Sequence, residues 1–210
     1  MRPEQKLHKL ESLRLTTLEH AAAPTGLHTW ACARLLCDWL LQNKSLLHNA
    51  RVLELGCGTA LPSFVACCCG AVVTATDADE DALSSAAAAS KLNMLESTFR
   101  TQRLVWGEDI AATDALRVPQ ELLIGSDVFY DTSLFDALLF TVAALLRRGH
   151  ATSRFATVYE HRSRHASLQW RLQRFGLVCI SSETVTGSRR GIEGCGGTFE
   201  VAVIALDPSS

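Results

Sequence analysis

The stretch RVLELGCGTALPSFVACCCGAVVTATD, residues 51–77, decides the fold. Arg51 to Leu55 is a short apolar run with Glu54 near its end, the pattern of a buried parallel strand that stops at a glycine turn. Gly56, Cys57, Gly58 and Thr59 supply that turn. Ala60 to Cys69 is uniformly small and apolar, long enough for a helix covering a sheet. Gly70 is its stop before a second strand, Ala71 to Thr76, with Asp77 at the end. Strand, glycine turn, helix, strand and acid make a βαβ unit, whose crossover sets the turn and Asp77 side by side at the carboxyl edge of the sheet.

The chemistry of such an edge follows from its parts. Gly56 and Gly58 let a ligand approach bare backbone, the start of the helix offers unpaired N–H groups, and Asp77 can accept both hydroxyls of a ribose. The edge therefore expects a nucleoside. The dinucleotide fingerprint wants a third glycine where this chain has Leu61, which weakens a reading as an NAD site. Glu54 would repel a pyrophosphate, but it can hold the ammonium of an amino acid directly or through water. A nucleoside that bears an amino acid is S-adenosylmethionine. A glycine turn also ends many ordinary strands, so the turn alone leaves a purely structural role open.

Composition narrows the class. A chain of 210 residues reads as one domain, here a core over 26–206 behind an extension over 1–25. A net charge of -2 gives no global field for phosphate backbones, so direct nucleic-acid binding is not expected. Eight cysteines include the adjacent Cys67, Cys68 and Cys69 but no CxxC pair, so they read as small buried thiols and no metal site is expected. The amino terminus lacks a continuous apolar segment and no run reaches membrane-span length. A soluble protein of the cytoplasm or nucleus, a monomer, is the expectation.

The rest of the chain extends the unit. Residues 1–23 read as a frayed helix or an edge strand, and Pro24, Thr25 and Gly26 break the chain before a helix over Leu27 to Leu41 with an apolar side of Trp30, Ala31, Leu35, Leu36 and Trp39. Asp79 to Leu92 is a second helix, capped by Asp79 or Asp81. Phe99 to Val105 is a third strand that delivers Trp106 to the same edge as Gly56 and Asp77, where an aromatic can wall an adenine. A fourth strand, Glu121 to Ser126, is followed by Asp127, Val128, Phe129 and Tyr130, and then by an apolar helix over Leu134 to Leu146. A fifth strand, Arg154 to Glu160, leads to a helix over Ser163 to Arg174, whose cations read as a solvated face. Phe175 to Ser181 and Thr198 to Leu206 lack a helix between them and read as an antiparallel hairpin, joined by the glycine-rich GSRRGIEGCGG.

Five strands alternating with helices, then a hairpin, give an α/β fold with a Rossmann-like seven-stranded sheet, helices on both faces and the last strand antiparallel. A dinucleotide dehydrogenase would continue its alternation instead. ELGCGTALP, TATD, LVWG, GSDVFYD and YEHRSR, in this order and at the strand ends, resemble the motifs of the family-sixteen seven-strand methyltransferases. The resemblance runs from about Gly26 to Leu206. It implies an enzyme that transfers a methyl group from S-adenosyl-L-methionine to a lysine or arginine side-chain nitrogen of a protein substrate.

The resemblance also implies roles. Trp30 would contact the cofactor, the backbone of Gly56, Cys57 and Gly58 would hold its methionine part, Asp77 the ribose and Trp106 the adenine, and Ser126 would line the pocket near the sulfonium. Ala60 stands where the family has a third glycine. Asp127 and Tyr130 correspond to the family's acidic and aromatic pair: Asp127 would accept an N–H of the substrate, with Tyr130 and Phe129 shielding it, and Glu160 would add an acceptor for arginine. Enzymes that methylate base amines commonly carry an acid or amide followed by two prolines and an aromatic, whereas this chain has SDVFY. Arg189 and Arg190 in the last connection suit an acidic partner surface. Two other readings stay open at this point, a cofactor-binding partner protein without turnover and a nucleotide-dependent oxidoreductase.

Overall fold

A computed structural model describes residues 3–19, 28–108, 118–160, 168–186 and 197–209. In chain order they form β1 (Glu4–Leu10), β2 (Leu13–Glu19), α1 (Ala31–Gln42), β3 (Arg51–Leu55), α2 (Leu61–Cys68), β4 (Val72–Asp77) and α3 (Glu80–Leu92). These are followed by β5 (Phe99–Arg103), β6 (Leu122–Ser126), α4 (Phe135–Arg148), β7 (Arg154–Glu160), α5 (Leu168–Arg174), β8 (Leu177–Thr186) and β9 (Thr198–Leu206). β3 to β9 make a seven-stranded sheet in the order β5-β4-β3-β6-β7-β9-β8. β3 to β7 run parallel, and β9 lies antiparallel between β7 and β8. A dinucleotide-binding sheet keeps its sixth strand parallel beside the fifth. Here the returning β9 takes that place.

The central strands are covered on both faces, and period-two alternation divides their side chains between two cores. Val52 of β3 and Leu122 and Ile124 of β6 enter the core beneath α1, α2 and α3, while Leu53, Leu55 and Leu123 enter the one beneath α4 and α5. α1 begins at Ala31 rather than at Leu27, and Trp30, expected on its apolar side, is its N-cap with 45% of its surface exposed. Asp79 is the cap of α3, accepting the Asp81 N–H at 2.9 Å. Three consecutive residues cannot share one face of a helix with 3.6 residues per turn. Accordingly Cys67 is buried, Cys69 half-buried and Cys68 exposed, and the seven described cysteines are free thiols.

The amino-terminal segment is neither a helix nor an edge of the main sheet. β1 and β2 pair antiparallel as a separate hairpin, Glu4 opposite Glu19 and Leu10 opposite Leu13. Leu10 and Leu15 join the first core, and the Asn93 side chain fastens β2 to the end of α3 by accepting the Thr16 N–H at 2.8 Å and donating to the Thr16 carbonyl at 2.7 Å. β8 runs five residues past its expected end because its pairing with β9 continues to Thr186 opposite Thr198. The cations of α5 are not only a solvated face: Arg171 and Arg174 hold Asp136 of α4 at 2.6 and 2.9 Å. The Pro24 to Gly26 break, the start of the last helix and most of the glycine-rich connection, with Arg189 and Arg190, lie outside the described residues.

Candidate active site

The β4-β3-β6 centre of the sheet is where the strand order reverses, and the carboxyl ends of these strands enclose a cleft of about 280 Å³. Ligands gather at such a reversal in open α/β sheets. The turn after β3 forms one wall. Gly56 has φ of 63°, and a Cβ there would sit 3.1 Å from Trp106 Cζ2, so the bare backbone is what lets the indole lie against the turn. Cys57 N–H donates to the Thr76 carbonyl at 2.9 Å, and Gly58 N–H donates to Asp77 Oδ2 at 2.9 Å. The turn is therefore stitched to the end of β4. Ala60 caps α2 in the left-handed region, with φ of 57°, the conformation a glycine would adopt without penalty.

Asp77 Oδ1 accepts the Asp79 N–H at 3.1 Å, so both carboxylate oxygens accept from the backbone. An ionised carboxylate offers about four lone-pair sites, which leaves capacity for two hydroxyl donors. Burial pushes the Asp77 carboxyl above its ordinary value, and the Gly58 and Asp79 donors oppose the rise. Trp106 lies past the end of β5, in a turn fixed by Leu104 N–H donating to the Asp77 carbonyl at 2.9 Å and Gly107 N–H donating to Thr141 Oγ1 at 2.9 Å.

The opposite wall follows β6. Asp127 has φ of 55°, a left-handed conformation that aspartate tolerates better than most residues, and its N–H donates to the Val158 carbonyl at 2.8 Å. It does not cap the next helix, since α4 is capped by Leu134. Tyr130 is half exposed, and partial burial together with nearby Asp77, Asp131 and Asp127 raises its phenol, keeping it a proton donor at neutral pH.

Nine residues given a site role in the sequence line this one cleft: Trp30, Gly56, Cys57, Gly58, Asp77, Trp106, Ser126, Asp127 and Tyr130. Glu54 does not. Alternation along β3 turns it beneath α2, fully buried, where Oε2 accepts the Ser63 N–H at 3.2 Å and the Ser63 hydroxyl at 2.5 Å. Burial pushes its pKa up to about 8. Phe129 is also turned away, stacking edge-on against Phe135 and Tyr159 in the second core, so it shields no substrate. Glu160 is not among the residues lining the cleft. His28, Thr59 and Leu104 line the cleft without having been picked out. Thr59, inside the glycine turn, and Leu104, inside the LVWG motif, could have been inferred from their places; nothing in the sequence around His28 marks it.

The family model described as lysine methyltransferase matches residues 9–170. The chain belongs to the lysine methyltransferase family. A protein related to this chain across most of its length is the histone-arginine methyltransferase METTL23 of Xenopus laevis, 33% identical over 174 residues, 81% of this chain and 73% of that relative. Among solved structures, the 16S rRNA methyltransferase RsmC of T. thermophilus, in complex with AdoMet and guanosine, superposes with a TM-score of 0.68 at 14% identity, over 98% of this chain and 51% of that one. Magnesium protoporphyrin IX methyltransferase from Synechocystis PCC 6803, with bound SAM, gives 0.59 at 16% identity, over 82% of this chain and 77% of that one. Those likenesses establish the fold. Membership of the family makes the chain an S-adenosylmethionine-dependent methyltransferase.

Proposed function

We propose that this enzyme methylates a lysine or arginine side-chain nitrogen of a protein, working as a monomer of a single domain over 1–210 in the cytoplasm or nucleus, without binding nucleic acid directly. The observation that carries the reading is the cleft itself, which brings Gly56, Asp77 and Trp106 together with Asp127 and Tyr130. Support for a protein nitrogen comes from the family description and from the frog relative's name. RsmC, named for rRNA, shares the fold at only 14% identity, and the run Ser126-Asp127-Val128-Phe129-Tyr130 carries no proline pair.

The residues fit S-adenosylmethionine. Asp77 would take the ribose hydroxyls, Trp106 would wall the adenine, the turn Gly56-Cys57-Gly58 would face the methionine part, and Trp30 and Ser126 would close the pocket around it. Bound S-adenosylmethionine supplies an electrophilic methyl on a sulfonium, so positioning is the main task left to the protein. Asp127 accepts an N–H of the incoming nitrogen and orients its lone pair. Tyr130 keeps water from that nitrogen and, protonated at neutral pH, donates rather than competes as a base. The buried Glu54 braces α2 through Ser63. Incubation of the enzyme with labelled S-adenosylmethionine and a cell lysate, followed by identification of the labelled residue, tests the proposal. Label on a lysine or arginine is expected; label in RNA or on no macromolecule overturns it.

A further inference from the structure

Glu19 ends β2, and only 8% of it is exposed. Lys6 Nζ lies 3.0 Å from Oε2, while Oε1 accepts the Thr29 N–H at 3.3 Å and the Thr17 hydroxyl at 3.4 Å. Ring nitrogens of His28 and His8 stand 3.8 Å from the carboxylate. Burial would raise its pKa, but the bonds from Thr29 and Lys6 more than offset this, so the group is an anion at neutral pH. A buried carboxylate is costly unless it is paired, and the hairpin already has Leu10, Leu15 and Asn93 to hold it down. Two of the groups around Glu19 lie elsewhere, in the segment leading to α1. His28 lines the cleft beside Trp30, and Thr29 Oγ1 is hydrogen-bonded at 3.0 Å to Thr59 Oγ1 in the glycine turn.

We infer that Glu19 is a positioning residue for cofactor binding: it fixes residues 28–30 and, through Thr29 and Thr59, the far side of the glycine turn, without touching the cofactor. The inference rests on the assignment of this cleft to S-adenosylmethionine. It also gives the hairpin a function, as a strut from the first core to the rim of the site.

Calorimetric titration with S-adenosylhomocysteine, paired with a thermal melt, tests it. Glu19→Ala should weaken binding about tenfold, and Glu19→Gln, whose amide oxygen can still accept the Thr29 N–H, should recover most of the loss. Thr29→Val, which removes the hydroxyl bonded to Thr59 and to Glu19 but keeps the Thr29 N–H, should weaken binding about threefold with little change in melting. Leu15→Ala, a buried hairpin change remote from Thr29, should lower the melting temperature and leave affinity within twofold. Wild-type affinity in Glu19→Ala and Thr29→Val, or a loss in Leu15→Ala as large as in Glu19→Ala, overturns the inference. A wild-type chain that binds no S-adenosylhomocysteine overturns the cofactor assignment itself, and the two failures are thereby told apart.

Discussion

The backbone N–H of Gly58 donates to Asp77 Oδ2 at 2.9 Å, so the glycine turn and the acid at the end of β4 form one hydrogen-bonded unit. Asp77 thus does two things, bracing the turn and presenting its remaining lone pairs to the cleft. Asp77→Ala should lose both. Charge-assisted hydrogen bonds contribute about 1.5–3 kcal/mol each, and about 1.4 kcal/mol is tenfold in affinity, so S-adenosylhomocysteine should bind at least tenfold more weakly. Asp77→Asn keeps an oxygen for Gly58 and should fall between the two. Calorimetry with a folded variant that binds as tightly as the wild type would remove Asp77 from the site.

Gly56 and Trp106 should be energetically coupled. Gly56→Ala places a methyl group 3.1 Å from Trp106 Cζ2 and also carries the left-handed penalty of about 1–2 kcal/mol. In a Trp106→Ala background the indole contact is gone, and the backbone penalty and the 3.3 Å approach to Val128 Cγ1 remain. A double-mutant cycle on denaturant stability should therefore give a coupling of about 1 kcal/mol, with the single Gly56→Ala change the more damaging in the presence of the ring. Strict additivity would show that the indole does not rest on the turn.

The βαβ unit and the strand ends were legible because glycines, apolar runs and a terminal acid mark them in one dimension, and the cleft follows from where those ends meet. The hairpin was not legible, and its burial explains why. Its inward residues are His8, Leu10, Leu15, Thr17 and Glu19, so polar groups stand where hydrophobic periodicity looks for apolar ones. Glu54 and Phe129 show a second limit. Adjacency to a motif named them as site residues, but alternation on β3 and the packing around Phe135 and Tyr159 turn their side chains into the cores. Motif membership fixes a backbone position, whereas the neighbouring elements decide which way the side chain faces.

Two buried groups make stability depend on pH in opposite directions. The Glu54 carboxyl titrates near 4.5 when unfolded and about 8 when folded, so the folded state holds the extra proton and stability is lost as pH rises through that window. Burial and the neighbouring Lys6 lower His8 from 6.5 to about 4, so the unfolded state holds the extra proton and stability is lost as pH falls from 6.5 to about 4. The two offset one another between about 4.5 and 6.5, and Glu54 acts without this counterweight from 6.5 to 8. At about 1.4 kcal/mol per unit, denaturation should show a loss on the order of 2 kcal/mol across that last interval. Glu54→Gln should flatten it while keeping an acceptor for Ser63. A wild-type profile flat from 6.5 to 8 would mean that Glu54 is ionised in the fold.

Asp127 separates a working enzyme from a silent binder. It sits at the carboxyl end of β6 with φ of 55°, its backbone pinned by the 2.8 Å bond to the Val158 carbonyl. Side-chain changes there should therefore leave the loop in place. Asp127→Asn preserves shape and polarity but removes the negative charge proposed to orient the accepting nitrogen, so turnover should fall about tenfold to a thousandfold, as loss of a transition-state contact does. S-adenosylhomocysteine affinity should move by less than twofold, because the proposed cofactor contacts do not include the Asp127 carboxylate. Tyr130→Phe keeps the half-exposed ring and loses only the hydroxyl, so its cost should be smaller. Single-turnover methylation at saturating cofactor isolates the effect from binding. Wild-type rates in both variants would make Asp127 and Tyr130 structural, and the acceptor would then have to be oriented from outside this pair.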